Sequence, residues 1–558
     1  MLDIKFFGNN AFKPCELNGN YFLGYFYNFE GKLFRDEEAI LHFLDLHNKN
    51  NIQEINKLSG IFTILIVEDS KLFVYSDITN YLPIFFIHIN EEWKISDDWH
   101  YLLKEKGVFN INRQEEAGFL CSGFVSGNAT LDDEIIKTKS GQVAIIENDK
   151  LYFKTIYSFL PQFFFPNKID DLVGHGTNIF ISAGKRLINY LNGRTAVVPL
   201  SGGFDSRLIL SILKLNNYED VICFTYGKKT LEVEISKKVA EKLNYKWYFV
   251  DYEQITYDGF VQDEEFKDYA FKYANGYSMV YLQEYFALKY LQENNLIPKN
   301  SVFLPGHSGD FLGGSYVNRT VRITKHNSDI AKHIEQKYYF FKKKSKKEKR
   351  AIVKCLNNEF VNQKFVNLKI DKFYPYVEDW DVKEKLSKFI ARSSYVFTYF
   401  GHEHIFYFWD KELVEFWKSM PYNFREGKFL YDKILSEKFF KPLGVYFEKA
   451  EIKTSSFFVA YQQIKDFIRY FFPWKYVLKR MQSSDWINYY ALTGEMEKEL
   501  VKKGLKPLRK FKTFNAVICR WYVEKLKEFW FYFSINFLLL LITFITVSIT
   551  GSIVLAIS

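Results

Sequence analysis

Between Val197 and Leu210 the chain reads VVPLSGGFDSRLIL. A β-branched apolar run stops at Leu200. Then come Ser201, Gly202, Gly203, Phe204, Asp205 and Ser206, and after them apolar residues at helical spacing. Glycines at the end of a strand let backbone N–H groups approach an anion with no Cβ in the way. Ser201 and Ser206 add hydroxyl donors, and a helix N-terminus adds a positive dipole end. This is chemistry for holding phosphates. Asp205 would repel them unless it holds Mg²⁺, which bridges to phosphate oxygens. A plain strand–turn–helix corner explains the glycines, but not two serines and a carboxylate together. The pattern is not a Walker loop, which needs Gly-Lys-Ser/Thr. The expected cofactors are ATP and Mg²⁺.

The elements around this loop alternate. Strand patterns at Ala196–Leu200, Val221–Tyr226 and Trp247–Val250 enclose helix patterns at Arg207–Leu215 and Glu232–Leu243. Such alternation predicts an α/β fold with a doubly wound parallel sheet, whose ligands sit beyond the carboxyl ends of the strands. The first 155 residues or so read instead as short strands, with three runs in Ser59–His88 and a hairpin in Gly141–Phe159. An amphipathic helix ends near Leu191, and from Asp379 to about Lys438 the pattern is mostly helical.

S-G-G-x-D-S after a strand resembles the pyrophosphatase loop (PP-loop) of N-type ATP pyrophosphatases, and the order of the other segments resembles the asparagine synthetase family. GFVSGNATLDDEIIKTKSGQVAII (Gly123 to Ile146) is similar to that family's link between two domains. Phe224 to Val250 is similar to its second strand and helix, with Glu232 in the acidic place. FLPGHSGDFLGGS (Phe303 to Ser315) is similar to its second glycine loop. Ser393 to Pro421 is similar to its S-M-x-x-x-x-E-x-R-x-P-F-x-D segment. The resemblance covers roughly residues 1 to 460. It implies a degenerate glutaminase-like αββα domain of Ntn-hydrolase type over 1–160. A PP-loop synthetase domain with a helical C-terminal part follows over 161–528, and a hydrophobic tail helix over 529–558.

What the resemblance implies about the site is specific. Asp205 and Asp310 would hold Mg²⁺. Leu200, Ser201, Gly202, Gly203, Asp205 and Ser206 would bind ATP, with Tyr226 and Gly306 near the nucleoside. The implied reaction is adenylation of a carboxylate with loss of pyrophosphate, then attack by ammonia or an amine with loss of AMP. Lys453 matches a family lysine that steadies the transition-state charge; the other reading is an ordinary surface lysine. His307 stands where asparagine-forming members carry Glu and β-lactam-forming relatives carry Tyr. Paired with Glu403, it would be a general base for the attacking amine; otherwise it only shapes the loop or bonds phosphate.

The departures narrow the chemistry. Glutamine-dependent members begin with a cysteine nucleophile after Met removal, and here residue 2 is Leu2. Cys15 lies inside the chain, without a free α-amino group as base. The nitrogen is therefore expected as ammonia, from a partner glutaminase, or as an amine. Pro305, Phe311, Ile405 and Tyr407 replace the family's Ser, Glu, Arg and Pro. These changes lie where the acceptor binds and argue against aspartate. Two further readings stay open: asparagine synthesis from ammonia, and a membrane-tethered nucleotide-binding regulator.

The chain of 558 residues carries a net charge of +9 and five scattered cysteines with no C-x-x-C pair, so neither a disulfide framework nor a zinc site is expected. No reading motif accompanies its basic runs, and no nucleic acid is expected. The abundance of Phe, Tyr, Lys, Asn and Ile with scarce Pro reads as an AT-rich genome. Phe529 to Ser558 contains no charged residue. As a helix it would be about 45 Å long, enough for the ~30 Å of a bilayer core. Its basic N-terminal flank would keep the body on the cytoplasmic face, and Ser455 to Met481 reads equally as a segment lying on the anionic leaflet or as a core-facing helix. The alternative is a hydrophobic helix packed on the body. A membrane-anchored enzyme suggests a lipid- or nucleotide-linked acceptor, such as a uronic acid of a surface polysaccharide.

Overall fold

The computed structural model describes residues 2–315, 323–324, 327–360, 368–447, 482, 484–505 and 513–531. Lys453, the segment 455–481 and the tail beyond Phe531 lie outside the described residues. Among the described residues, no helix is long and apolar enough to cross a membrane.

The N-terminal part folds from two stacked sheets. The strands are β1 (Leu2–Lys5), β2 (Cys15–Leu17), β3 (Asn20–Tyr27), β4 (Leu33–Phe34), β5 (Ser59–Glu68), β6 (Lys71–Ser76), β7 (Phe85–Ile89), β8 (Glu92–Ser96), β9 (Ile136–Lys137), β10 (Gln142–Glu147) and β11 (Lys150–Thr155). One sheet has the order β11-β10-β6-β5-β3-β2, with β4 on β3; the other runs β1-β8-β7-β9. Strand alternation sets the layers. On β5, Leu65 points to the inner core with Ile84, Phe86 and Ile95 of the second sheet. Ile64 and Ile66 point outward, under Ala39, Ile40 and Phe43 of helix α1 (Asp36–Asn48). On the far side, α2 (Trp99–Lys106) and α3 (Arg113–Ser122) cover Phe85 and Ile87. The layers are αββα.

The second part is a five-stranded parallel sheet of β12 (Ala196–Pro199), β13 (Val221–Gly227), β14 (Lys246–Asp251), β15 (Val302–Phe303) and β16 (Glu403–His404). Its order is β14-β13-β12-β15-β16. Ala196 and Val198 face one core while Val197 faces the other, which explains the unbroken apolar run in the sequence. Helices α4 (Ile169–Leu191), α5 (Phe204–Leu215) and α6 (Leu231–Leu243) cover one face; α7 (Glu264–Ala274) and α8 (Tyr285–Glu293) cover the other. The chain steps outward from β12 to β14, then returns to lay β15 on the other side of β12. In sheets of this kind the ligand crevice lies at such a reversal, which here is beyond the carboxyl ends of β12 and β15. The short helix α9 (Gly309–Gly313) follows β15 there. A hairpin of α10 (Asn327–Tyr338) and α11 (Lys346–Glu359) lies further on, and α12 (Phe429–Ile434) returns to the crevice.

Candidate active site

The loop after β12 is closed by its own side chains. Leu200 ends the strand with both backbone groups committed to β13: its N–H donates to Phe224 O, and its carbonyl accepts from Thr225 Oγ1, each at 2.8 Å. The Ser201 N–H then donates to Ser206 Oγ at 3.1 Å, and the Gly203 N–H to Ser201 Oγ at 3.2 Å. Buried Arg207 holds the loop from beneath, donating to Gly202 O at 2.8 Å and Val445 O at 3.1 Å. Gly203 is the N-cap of α5, and no side chain caps it. The first-turn backbone donors of a helix have no partner within the helix, and such an end suits an anion.

The second loop reaches across to the first. The Asp310 N–H donates to Asp205 Oδ2 at 2.9 Å, and the Tyr431 hydroxyl donates to Asp205 Oδ1 at 2.7 Å. Asp310 in turn accepts from the Phe311 N–H and from Ser315 Oγ, both at 2.9 Å. The approach needs glycine. A methyl on Gly306 would lie 2.7 Å from the Ser206 nitrogen, and one on Gly309 2.8 Å from Asp205 Cγ. Burial and the nearby Asp310 carboxylate push Asp205 up to about 6, against Lys428, Tyr431 and the Asp310 N–H. Two carboxylates brought together, with serine and tyrosine hydroxyls beside them, form an all-oxygen donor set. A divalent cation between them would remove the repulsion that raises Asp205. The residues fit Mg²⁺. Asp132, Asp133 and Glu134 also cluster, but there the Lys106 ammonium sits among them at 2.8, 3.3 and 2.5 Å.

Two residues at this corner carried no sequence signal. Tyr431 and Lys428 come from α12 and the turn before it, over a hundred positions beyond Asp310. Lys428 adopts a left-handed backbone (φ 62°), unusual for a side chain of its kind. Its ammonium lies 5.0 Å from the Tyr431 ring centroid and 3.3 Å from Asp432. Only the path of the chain brings this cation to the loops.

The expected His307–Glu403 pair is not formed. Glu403 is level with Val302 at the start of its strand, whereas His307 lies beyond the carboxyl end of β15. Glu403 accepts two bonds from Arg35 at 3.1 Å and one each from Arg194 and Tyr190 at 2.7 Å. Burial would raise its carboxyl, but the hydrogen bonds and charge of Arg35, helped by Arg194 and Tyr190, hold it at about 2. His307 instead has Nε2 2.9 Å from Ser394 Oγ and Nδ1 3.3 Å from Ser308 Oγ. Burial lowers its imidazole to about 4, so the ring is neutral. Tyr226, at the end of β13, stacks between Tyr252 and Trp486 with ring centroids 5.6 and 6.0 Å away, and its hydroxyl meets Glu284 at 3.2 Å.

No protein-family model matches the chain, and neither does any curated protein. Solved structures match in part. An NH3-dependent NAD synthetase from Campylobacter jejuni in complex with nitrate is 16% identical, with a TM-score of 0.18, over 27% of this chain and 61% of that one. A glutamine phosphoribosylpyrophosphate amidotransferase from B. subtilis, complexed with ADP and GMP, is 10% identical over 43% of this chain and 72% of that one, with a TM-score of 0.18. A structure described as the allosteric regulatory enzyme of purine biosynthesis is 8% identical over 43% and 62%, with a TM-score of 0.17. The chain thus spans about 61% of the length of the first of these.

Proposed function

We propose that this chain is an ATP-dependent carbon–nitrogen ligase that activates a carboxylate as its acyl-adenylate and transfers ammonia or an amine to it. The observation that carries this reading is the meeting of Asp205 and Asp310 across a glycine-lined corner at the reversal of a parallel sheet. Bound there, Mg²⁺ would supply charge neutralisation at the phosphates. The chain's own groups position the reaction. The donors of the first loop orient phosphate oxygens, and Lys428 adds a positive charge beside Asp205. The neutral His307, bonded to two serine hydroxyls, serves as acceptor for the proton of the attacking amine. Glu403 has no part in this step and acts as a structural anchor. Catalysis rests on placement and electrostatics.

Glutamine is not the direct nitrogen source in this reading. Leu2 offers no nucleophile. The Cys15 thiol is raised by partial burial and by Asp36, Glu37 and Glu16 around it, which disfavours a thiolate. The acceptor is a carboxylate other than free aspartate, such as a uronic acid carried on a lipid or nucleotide. The uncharged residues 532–558 hold the chain at the cytoplasmic face of the membrane. ATP–pyrophosphate exchange against a panel of carboxylic acids tests the reading. Exchange dependent on a sugar acid supports it; exchange with aspartate would make the product asparagine. ATP binding without exchange under any acid would leave only a nucleotide-binding protein.

A further inference from the structure

The segment that leads into and through most of α11 carries a large local excess of positive charge. From Phe341 to Lys354 there are eight lysines and arginines against one acid, Glu348, a balance of +7 in a chain whose total is +9. The inner faces of the two helices bury Ile330, Ile334, Ile352 and Leu356 against Trp380. Helical periodicity then leaves the cations outside. Lys332, Lys346, Lys349, Arg350 and Lys354 are exposed, and with Val353 and Asn357 they line one groove of about 430 Å³.

Two described carboxylates beside the groove have partners of their own. Glu348 closes a capping box with Ser345 and pairs with Lys342. Buried Glu335 pairs with Lys344 and reaches Lys349 only at 3.7 Å. Lys346, Arg350 and Lys354, gathered in one groove, repel each other, and a surface carrying several phosphates relieves that repulsion. The lining contains no aromatic ring on which a nucleobase could stack.

Helix α3 lies between the basic hairpin and the last described helix. Helical residues 515–531 lead to Phe531. On that helix Lys527 pairs with Glu116 of α3 at 2.8 Å. Gln114 of the same α3 donates to Cys355 Sγ of α11 at 2.5 Å, and the neighbouring Lys354 lines the groove. One helix therefore joins the root of the tail to the basic hairpin. The stretch from Tyr532 to Ser558 has no charged side chain, and as a helix it would be about 40 Å long against the ~30 Å of a bilayer core.

We propose that this groove seats the headgroups of anionic phospholipids, docking the body of the chain on the bilayer that its tail enters. The inference rests on the membrane-tail reading above. The test uses the full-length chain with neutral phosphatidylcholine vesicles, and with vesicles containing about a third phosphatidylglycerol. Flotation reports the tail, and lysine acetylation read by mass spectrometry reports the groove. Labelling at Lys346, Lys349 and Lys354 should fall about fivefold in anionic vesicles only, and should recover in about 0.5 M salt, where screening is strong. The variant K346E/R350E/K354E, checked for an unchanged Tm, should float with the neutral vesicles but lose the anionic preference. Equal labelling in both vesicle types, or protection by duplex DNA but not by vesicles, would overturn the groove. Flotation with anionic vesicles alone, abolished by salt, would support the groove and sink the tail instead.

Discussion

Asp205 is the residue on which the site turns. Its folded-state pKa of about 6 lies above its ordinary value. Its neutral form therefore favours folding at low pH, and that contribution is lost as pH rises through 6. At pH 8 without metal, Asp205→Asn should raise stability by about 1–3 kcal/mol, discounted for partial exposure. Asn can keep both contacts, accepting from the Asp310 N–H and donating to the Tyr431 oxygen. The same variant, like Asp310→Asn, should abolish pyrophosphate release and lose the Tm rise expected of the parent chain with Mg²⁺ and ATP. Thermal melts with and without metal check both halves, and near-normal turnover in either variant would refute the metal assignment. His307 titrates the other way. Its folded pKa of about 4 lies below the ordinary imidazole value. Its contribution is present above the unfolded pKa and disappears as pH falls from about 6.5 to 4. His307→Gln should flatten that acid limb of the Tm–pH curve. If His307 also accepts the amine proton, kcat should drop while the KM for ATP stays.

At the scale of elements, the two loops work only because glycine lets them touch. A Cβ at Gly306 would press on a backbone nitrogen, which cannot turn aside as a side chain can. Gly306→Ala should therefore part the ends of β12 and β15 and weaken nucleotide binding at least tenfold, readable by isothermal calorimetry. Unchanged affinity would mean that the crevice is not the nucleotide site. The second loop has its own support. Arg425 donates to Glu378 at 2.5 Å and to Phe311 O at 3.1 Å, both side chains being buried. Arg425→Met would leave the Glu378 charge uncompensated and should cost about 3–5 kcal/mol. Denaturant unfolding measures that loss.

At the scale of the molecule, Glu403 ties the two halves together. It gathers Arg35 from just before α1, and Tyr190 and Arg194 from around the end of α4. Its depressed pKa gives a contribution that is full above its ordinary value and is lost as pH falls toward 2. Glu403→Gln should therefore lower stability at pH 7 by about 3 kcal/mol, leaving the ATP–pyrophosphate exchange rate of the folded fraction intact. A loss of exchange without a loss of stability would restore Glu403 to the chemistry. Through this cluster the αββα part is tied to the parallel-sheet part.

Sequence alone reached the parallel sheet and the turn after β12. Strand and helix periods are local, so β12, β13 and β14 and the helices between them fall within a residue or three of where their patterns place them. The turn chemistry of Ser201 to Ser206 is local too. What lay beyond it was register and approach. Glu403 and His307 fit one motif order, yet parallel pairing sets Glu403 beside Val302, and no spacing along the chain reveals such an offset. Lys428 and Tyr431 entered the site only because α12 folds back on the crevice. Contacts between distant segments depend on how helices pack over the sheet, and that is decided by side-chain volume across the whole core rather than by any short run of residues.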